Sequence, residues 1–399
     1  MTQALSTPER IPQRIKAAVP NSAERGGLRT VAGIVLLILI GFFVGVLSGC
    51  SRNHQAYFPD LAQRDISRED LLSGRSLWGE AAEELVLPED HVMRMSPQMR
   101  AFLDRYVPGN YADPMKIRAI LEAIISPGAL GMEYDRSLTF TARESFRRAE
   151  GNCLGFSYVF VLLARERGLK AYFQEVEIPP DWTPAAERLV FVNRHINVRV
   201  DTRIGHDMVV DIDRANVKPF YPVRRISDKE AEAHYYSNKG AEYLDRGNMK
   251  NAFRYFVKAV RLMPKSSAFW SNLGVFYRLN NLPWHAEKAY FIALKYKPSN
   301  YSVMTNLAIL YEIQGEVEKA EYFTGLAKRY QQKNPYYHYY RAQEAYNDGD
   351  YQATLRHLRG VIRQKIEDYR FYDLMAEAYI KLGKQDEAEE VLAKGADYR

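Results

Sequence analysis

The chain has 399 residues, 47% of them apolar and 26% charged, a balance that fits a folded protein with room for two or three domains. The formal net charge is +6, and half of it sits in the first 30 residues, where Arg10, Arg14, Lys16, Arg25 and Arg29 face only Glu9 and Glu24. The rest of the chain therefore lacks the concentrated basic patch that nucleic-acid binding needs. Two cysteines, Cys50 and Cys153, exclude a disulfide framework and a multi-cysteine metal site.

Residues 31–48 form an unbroken uncharged apolar run (VAGIVLLILIGFFVGVLS) behind the basic flank, the pattern of a segment that inserts in a bilayer with its basic end on the cytoplasmic side. The run closes in Leu47-Ser48-Gly49-Cys50. This ending resembles the bacterial lipoprotein signal. The resemblance implies that 1–50 is a leader, that the Cys50 thiol is acylated, and that Ser51 permits transfer to the outer membrane. The protein would then sit in the cell envelope on the periplasmic side, held to the membrane by lipid at Cys50. An uncleaved signal anchor is the alternative, since eighteen apolar residues just span a bilayer. Residues 51–95 read as a tether with short helices capped by Asp60, Asp65, Ser67 and Ser73 and broken at Pro88.

Residues 96–220 carry the candidate chemistry. Gly151-Asn152-Cys153-Leu154-Gly155 opens a stretch of helical apolar spacing that runs to about Arg167 and ends at Gly168. Cys153 thus falls in the first turn of a helix, where orphan amide groups and the helix dipole favour a thiolate. AYFQEVEI follows as a strand. In LVFVNRHINVRV (189–200) the residues His195, Asn197 and Arg199 share one face, and DMVVDID (207–213) reads as the next strand. A hairpin centred on Arg203 puts His195 opposite Asp211; Asp213, Asp207 and Asp201 are alternatives for the acid. A cysteine, a histidine and an orienting carboxylate are the parts of an activated thiol nucleophile.

This order, with Gly-x-Cys opening the helix and EYDRSLTFTARESFRRAEGNC leading to it, resembles the transglutaminase-like superfamily over roughly 115–215. The resemblance implies a papain-like α+β domain with Cys153 as nucleophile, His195 as general base and acid, Asp211 as orienter, and the Cys153 amide as one oxyanion donor. Ile196-Asn197 after the histidine departs from members that carry an aromatic residue there. The superfamily includes cross-linking enzymes, cysteine proteases, amidases and inert members, so membership names no reaction. The blander alternatives are a cysteine packed in a core and a histidine satisfied by one hydrogen bond. No phosphate-binding glycine loop is present, and His206 and Asp207 lack metal-ligand spacing, so neither cofactor nor metal is expected.

A linker is expected at 221–232. From 233 to 399 the chain repeats with a period of 34, starting at Ala233, Ser267, Tyr301, Pro335 and Tyr369. The first repeat holds Tyr236, Gly240, Tyr243, Ala252, Phe256, Ala259 and Pro264; the second holds Trp270, Leu273, Gly274, Tyr277, Ala286, Tyr290, Ala293 and Pro298. The third lacks the closing proline at its usual place, and the fourth is degenerate, with Ala345 and Thr354 at signature positions. Period and signature resemble the tetratricopeptide repeat, which implies five helix pairs in an all-α solenoid that binds a protein or peptide. Of 28 tyrosines 21 lie here, and those not required for packing, such as Tyr336, Tyr337, Tyr339 and Tyr340, are candidates to line a groove. The function expected from these parts is thiol-dependent amide cleavage or acyl transfer on a protein or peptide recruited by the repeats. The alternative is a non-enzymatic adaptor in which 96–220 is structural.

Overall fold

The computed structural model describes residues 65–177, 195–202, 206–213, 221–363 and 367–398. The chain divides into two units, Met1–Gln63 and Arg64–Arg399. The apolar run at 31–48 and Cys50 belong to the first and lie outside the described residues. Among the described residues no helix is long and apolar enough to cross a membrane.

The part of the expected tether that is described is docked. It forms α1 (Asp70–Ser73), α2 (Arg75–Trp78) and a 3₁₀ stretch, Gly79–Glu84. Leu71 is fully buried and its carbonyl accepts a hydrogen bond from the Tyr277 hydroxyl at 2.8 Å. Arg68 donates to the Pro264 carbonyl at 2.9 Å and lies over the Trp270 ring. Trp78 packs edge-on against Phe253, 5.2 Å between centroids. All four receiving residues lie in the first two repeats, some 200 residues away in sequence, which is why local composition reads this segment as a linker.

Next comes the sheet-containing part. Helix α3 (Pro97–Tyr106) starts at a Ser96 cap, and α4 (Asp113–Ile125) has proline in its first turn, where the missing N–H costs nothing. β1 (Glu133–Tyr134) pairs in parallel with β2 (Glu150–Gly151), on either side of α5 (Ala142–Arg148), whose Thr141 and Glu144 form a capping box. Helix α6 (Cys153–Glu166) is buried along most of its length and lies against β3 (Lys170–Val176) and β4 (His195–Asp201). With β5 (Met208–Val210) and β6 (Val223–Ile226) these strands form an antiparallel sheet in the order β5-β4-β3-β6. The expected linker therefore contains an edge strand of this sheet and the start of the next helix.

The β4–β5 register differs from the sequence expectation by two residues. Val198 pairs with Val210, Arg199 with Val209 and Val200 with Met208, so the hairpin centres on position 204 and its continuation sets Asp213, not Asp211, opposite His195. A two-residue shift keeps every side chain on its face, so Asp211 stays on the His195 side.

The repeats follow as α7 (Asp228–Asp245) and α8 (Met249–Leu262), α9 (Ser267–Leu279) and α10 (Pro283–Tyr296), α11 (Tyr301–Ile313) and α12 (Val317–Lys333), α13 (Pro335–Asn347) and α14 (Tyr351–Ile362), and α15 (Tyr369–Lys381) and α16 (Gln385–Ala396). Four of the five first helices begin at the residue that the period marks. The first starts five residues early because Ser227 caps it through the Glu230 amide. Helix α12 continues to Lys333, as the absent closing proline allows. Thr354, at an alanine position, is fully buried, and its hydroxyl donates to the Ala342 carbonyl at 3.2 Å, so the degenerate position is filled and satisfied. Tyr336 and Tyr339 both pack on Phe371, at 5.5 and 4.7 Å, and serve packing. The core of the last two repeats extends to Val176 and Tyr221, at the end of β3 and just before β6.

Candidate functional site

Asn152 sets the site's first element. Its side-chain oxygen accepts from the Leu154 and Gly155 amides at 3.1 Å each, which fixes the start of α6, and its amide nitrogen donates to Thr139 Oγ1 at 2.9 Å. Glycine at 155, in the first turn, suits the close approach of α5, because a Cβ there would fall 2.5 Å from Ser145 Oγ. Ser157 ties the helix to the sheet: its hydroxyl lies 2.7 Å from the Cys153 carbonyl and 3.3 Å from the Ile196 carbonyl. These contacts bring half-buried Cys153, in the first turn of α6, beside His195 at the start of β4.

His195 Nε2 lies 2.8 Å from Asp211 Oδ2, both side chains being buried. The Cys153 thiol lies near enough to the imidazole to favour its charged form. Burial opposes a charge on His195, but the hydrogen bonds to Asp211 and Cys153 and the nearby negative charge outweigh it and raise its pKa to about 10. Burial also disfavours the Asp211 carboxylate, yet His195, the Asn197 amide and the Asp213 N–H hold its pKa below the usual range. Asn197 Nδ2 donates to the same Oδ2 at 3.0 Å, and the Asp213 N–H donates to Oδ1 at 2.9 Å. An imidazole gripped in this way has one tautomer and one orientation, and it is placed to take a proton from a thiol and return it.

The three residues singled out from sequence thus meet, although Asp211 reaches His195 diagonally rather than from the position opposite. The other acids are engaged elsewhere. Arg199 takes Asp207 and lies 3.6 Å from Asp201, and Tyr134 donates to Asp213 Oδ2 at 3.2 Å. Sequence reasoning missed Asn197 as a partner of Asp211, though its place on the His195 face was visible. It also missed Tyr134, which sits on a two-residue strand with no periodic signal. Cys50 lies outside the described residues.

One further group among the described residues has metal-ligating chemistry. Glu175, Glu230 and His234 offer atoms within 4.8 Å of one another. Strand β3 supplies Glu175, and helix α7 supplies Glu230 and His234 one turn apart; only the pairing of strand with helix is invisible in the sequence. Arg224 pairs with Glu175 and, at 2.7 Å, with Glu230, so the two carboxylates share one guanidinium. A cavity of about 630 Å³ lies at the Lys170 end of β3, opposite the Val176 end that pairs with His195.

Comparison with known proteins bears on the repeats. The family described as anaphase-promoting complex, cyclosome, subunit 3, matches residues 313–395, and the tetratricopeptide repeat matches residues 233–266. No curated protein matches the chain. Among solved structures, the MamA protein is 18% identical over 42% of this chain and 91% of its own, with a TM-score of 0.23. PilF of Pseudomonas aeruginosa is 18% identical over 42% and 78%, with a TM-score of 0.26, and YrrB, described as a TPR protein with an unusual peptide-binding site, is 17% identical over 43% and 88%, with a TM-score of 0.24. Superpositions this partial carry no argument. The family matches and the ten-helix array together make the C-terminal region a set of tetratricopeptide repeats.

Proposed function

We propose that this protein is an adaptor whose repeats hold a protein or peptide partner. The observation that carries this reading is the array of five helix pairs at a 34-residue period, the first of which the tetratricopeptide repeat family matches, since such solenoids offer extended binding surfaces. The test is to identify a partner, purify it and titrate it onto the full chain by calorimetry. Saturable binding that weakens in Tyr337→Ala or another repeat-surface variant supports the reading. Binding indifferent to every such change overturns it.

A second reading is favoured by the 2.8 Å contact between His195 and Asp211 beside Cys153. In it, residues 96–220 form a papain-like, transglutaminase-like domain that acts on an amide of what the repeats hold. The Cys153 thiolate attacks the amide carbonyl and forms a C–S bond. The C–N bond then breaks as His195 gives its proton to the leaving amine. Water or a second amine takes the acyl group and the thiol is restored. A thiol-directed activity probe on the full chain decides this reading: labelling of Cys153 that is lost in His195→Ala supports it, and equal labelling of both leaves the adaptor alone. We also propose that Cys50 carries lipid and holds the protein on the periplasmic side of an envelope membrane, a reading supported by Leu47-Ser48-Gly49-Cys50. Incorporation of labelled fatty acid into wild type but not Cys50→Ala is the expected result, and no incorporation into wild type refutes it.

A further inference from the structure

Two chain segments flank the Cys153–His195 contact. On one side is β1, whose Tyr134 pairs with Gly151, two residues before Cys153. The bridge is reinforced by the Asp135 N–H on the Gly151 carbonyl at 3.1 Å and the Asn152 N–H on the Leu138 carbonyl at 3.2 Å. On the other side is the stretch after β5, where Asp211 turns back to His195 and Asp213 follows in the register position opposite His195. The Tyr134 hydroxyl donates to Asp213 Oδ2 at 3.2 Å and joins these segments. A closed circuit results: Cys153 to His195, His195 to Asp211, Asp211 to the Asp213 N–H, Asp213 to Tyr134, and Tyr134 through the β1–β2 bridge back to the start of α6.

Tyr134 lies at the surface beside the buried pair, since its residue is 38% exposed while His195 and Asp211 are each 8% exposed. Burial of the hydroxyl, then the charges of Cys153 and Asp213, raise its pKa well above the ordinary phenol value. The phenol therefore keeps its proton and remains the donor in this bond. A single hydrogen bond between a half-exposed phenol and a carboxylate is weak enough to open.

We propose that Tyr134 and Asp213 form a clasp at the entrance to Cys153, a specificity-determining pair that admits slender acyl groups and holds back bulky ones. The proposal rests on the thiol reading above, in which an acyl group must reach Cys153. An unbranched side-chain amide passes the closed clasp, whereas a branched or folded segment needs it open.

Alkylation of the full chain, read by mass spectrometry on the Cys153 peptide, tests this with two reagents, iodoacetamide and a bulky dye-linked iodoacetamide. Tyr134→Phe keeps the ring and removes the donor; Asp213→Asn removes the charged acceptor. In each, the bulky reagent should react about tenfold faster, the weight of one hydrogen bond to a carboxylate, while iodoacetamide changes by less than about twofold. A bulky-reagent rate unchanged in both variants overturns the clasp. His195→Ala separates this from the reading beneath it. If wild type and His195→Ala react with iodoacetamide equally fast at neutral pH, the thiol is not activated and the thiol reading fails, whereas the ratio of the two reagents still reports the clasp.

Discussion

Gly274 is the position where the repeat geometry is most sharply testable. It lies within α9, and a Cβ built there would fall 2.5 Å from Tyr290 Cε1, 2.6 Å from Cδ1 and 3.1 Å from Cζ. Tyr290 is fully buried in α10, so its ring cannot swing into solvent. Restoring ordinary contact needs the helices to part or the ring to shift by about 1 Å, and overpacking of this kind costs roughly 1–3 kcal/mol. Against that, alanine gains about 0.8–1.0 kcal/mol over glycine in a helix. Gly274→Ala should therefore destabilise by about 1 kcal/mol net, up to about 2 kcal/mol if the ring cannot relax. Gly325 in α12 is the matched control, because nothing lies within 4 Å of its added Cβ; Gly325→Ala should stabilise by roughly 0.5–1 kcal/mol. Urea unfolding followed by circular dichroism gives the signs, and hydrogen exchange in α9 and α10 localises the loss, since a repeat array need not unfold as one unit. Gly274→Ala moving the midpoint in the same direction as Gly325→Ala would refute the close approach of α9 and α10.

Trp270 is fully buried with its indole N–H on the Pro264 carbonyl at 3.1 Å, so Trp270→Ala should cost roughly 3–5 kcal/mol and loosen the neighbouring repeats; an unchanged melting profile would contradict its placement. Tyr277→Phe removes the 2.8 Å hydrogen bond to the Leu71 carbonyl and should cost about 1–2 kcal/mol; limited proteolysis near Leu71 should speed up, and equal cleavage of both proteins would mean the segment is not held there. Asp211→Asn should lower the imidazole titration of His195 from about 10 by at least about one unit in NMR spectra, because an amide stabilises an imidazolium less than a carboxylate does; an unmoved titration would break the pairing. The raised His195 pKa adds stability fully present below its unfolded value near 6.5 and lost as pH rises toward about 10, so His195→Gln should flatten the alkaline decline, and an equally steep decline in that variant would count against it.

The sequence by itself determined the repeat array. The signature of a tetratricopeptide repeat lies within 34 residues, and Gly240, Gly274 and the buried aromatics act on neighbours one helix away, so period and register are local properties. It also determined which face of β4 carries His195, because alternation along a strand is local. Tertiary structure decided what depends on pairing between distant segments. The β4–β5 register slid by two residues because a short hairpin of mixed side chains fixes its face but not its offset. Asp211 nonetheless lies beside His195, since a shift of two preserves the face and the carboxylate reaches across diagonally. The docking of residues 65–95 on the first two repeats, the edge strand at Val223–Ile226, and the meeting of Tyr134 with Asp213 had no signal in the sequence. Each joins groups some 50 to 200 residues apart in sequence, and pairing at that distance leaves no period behind it.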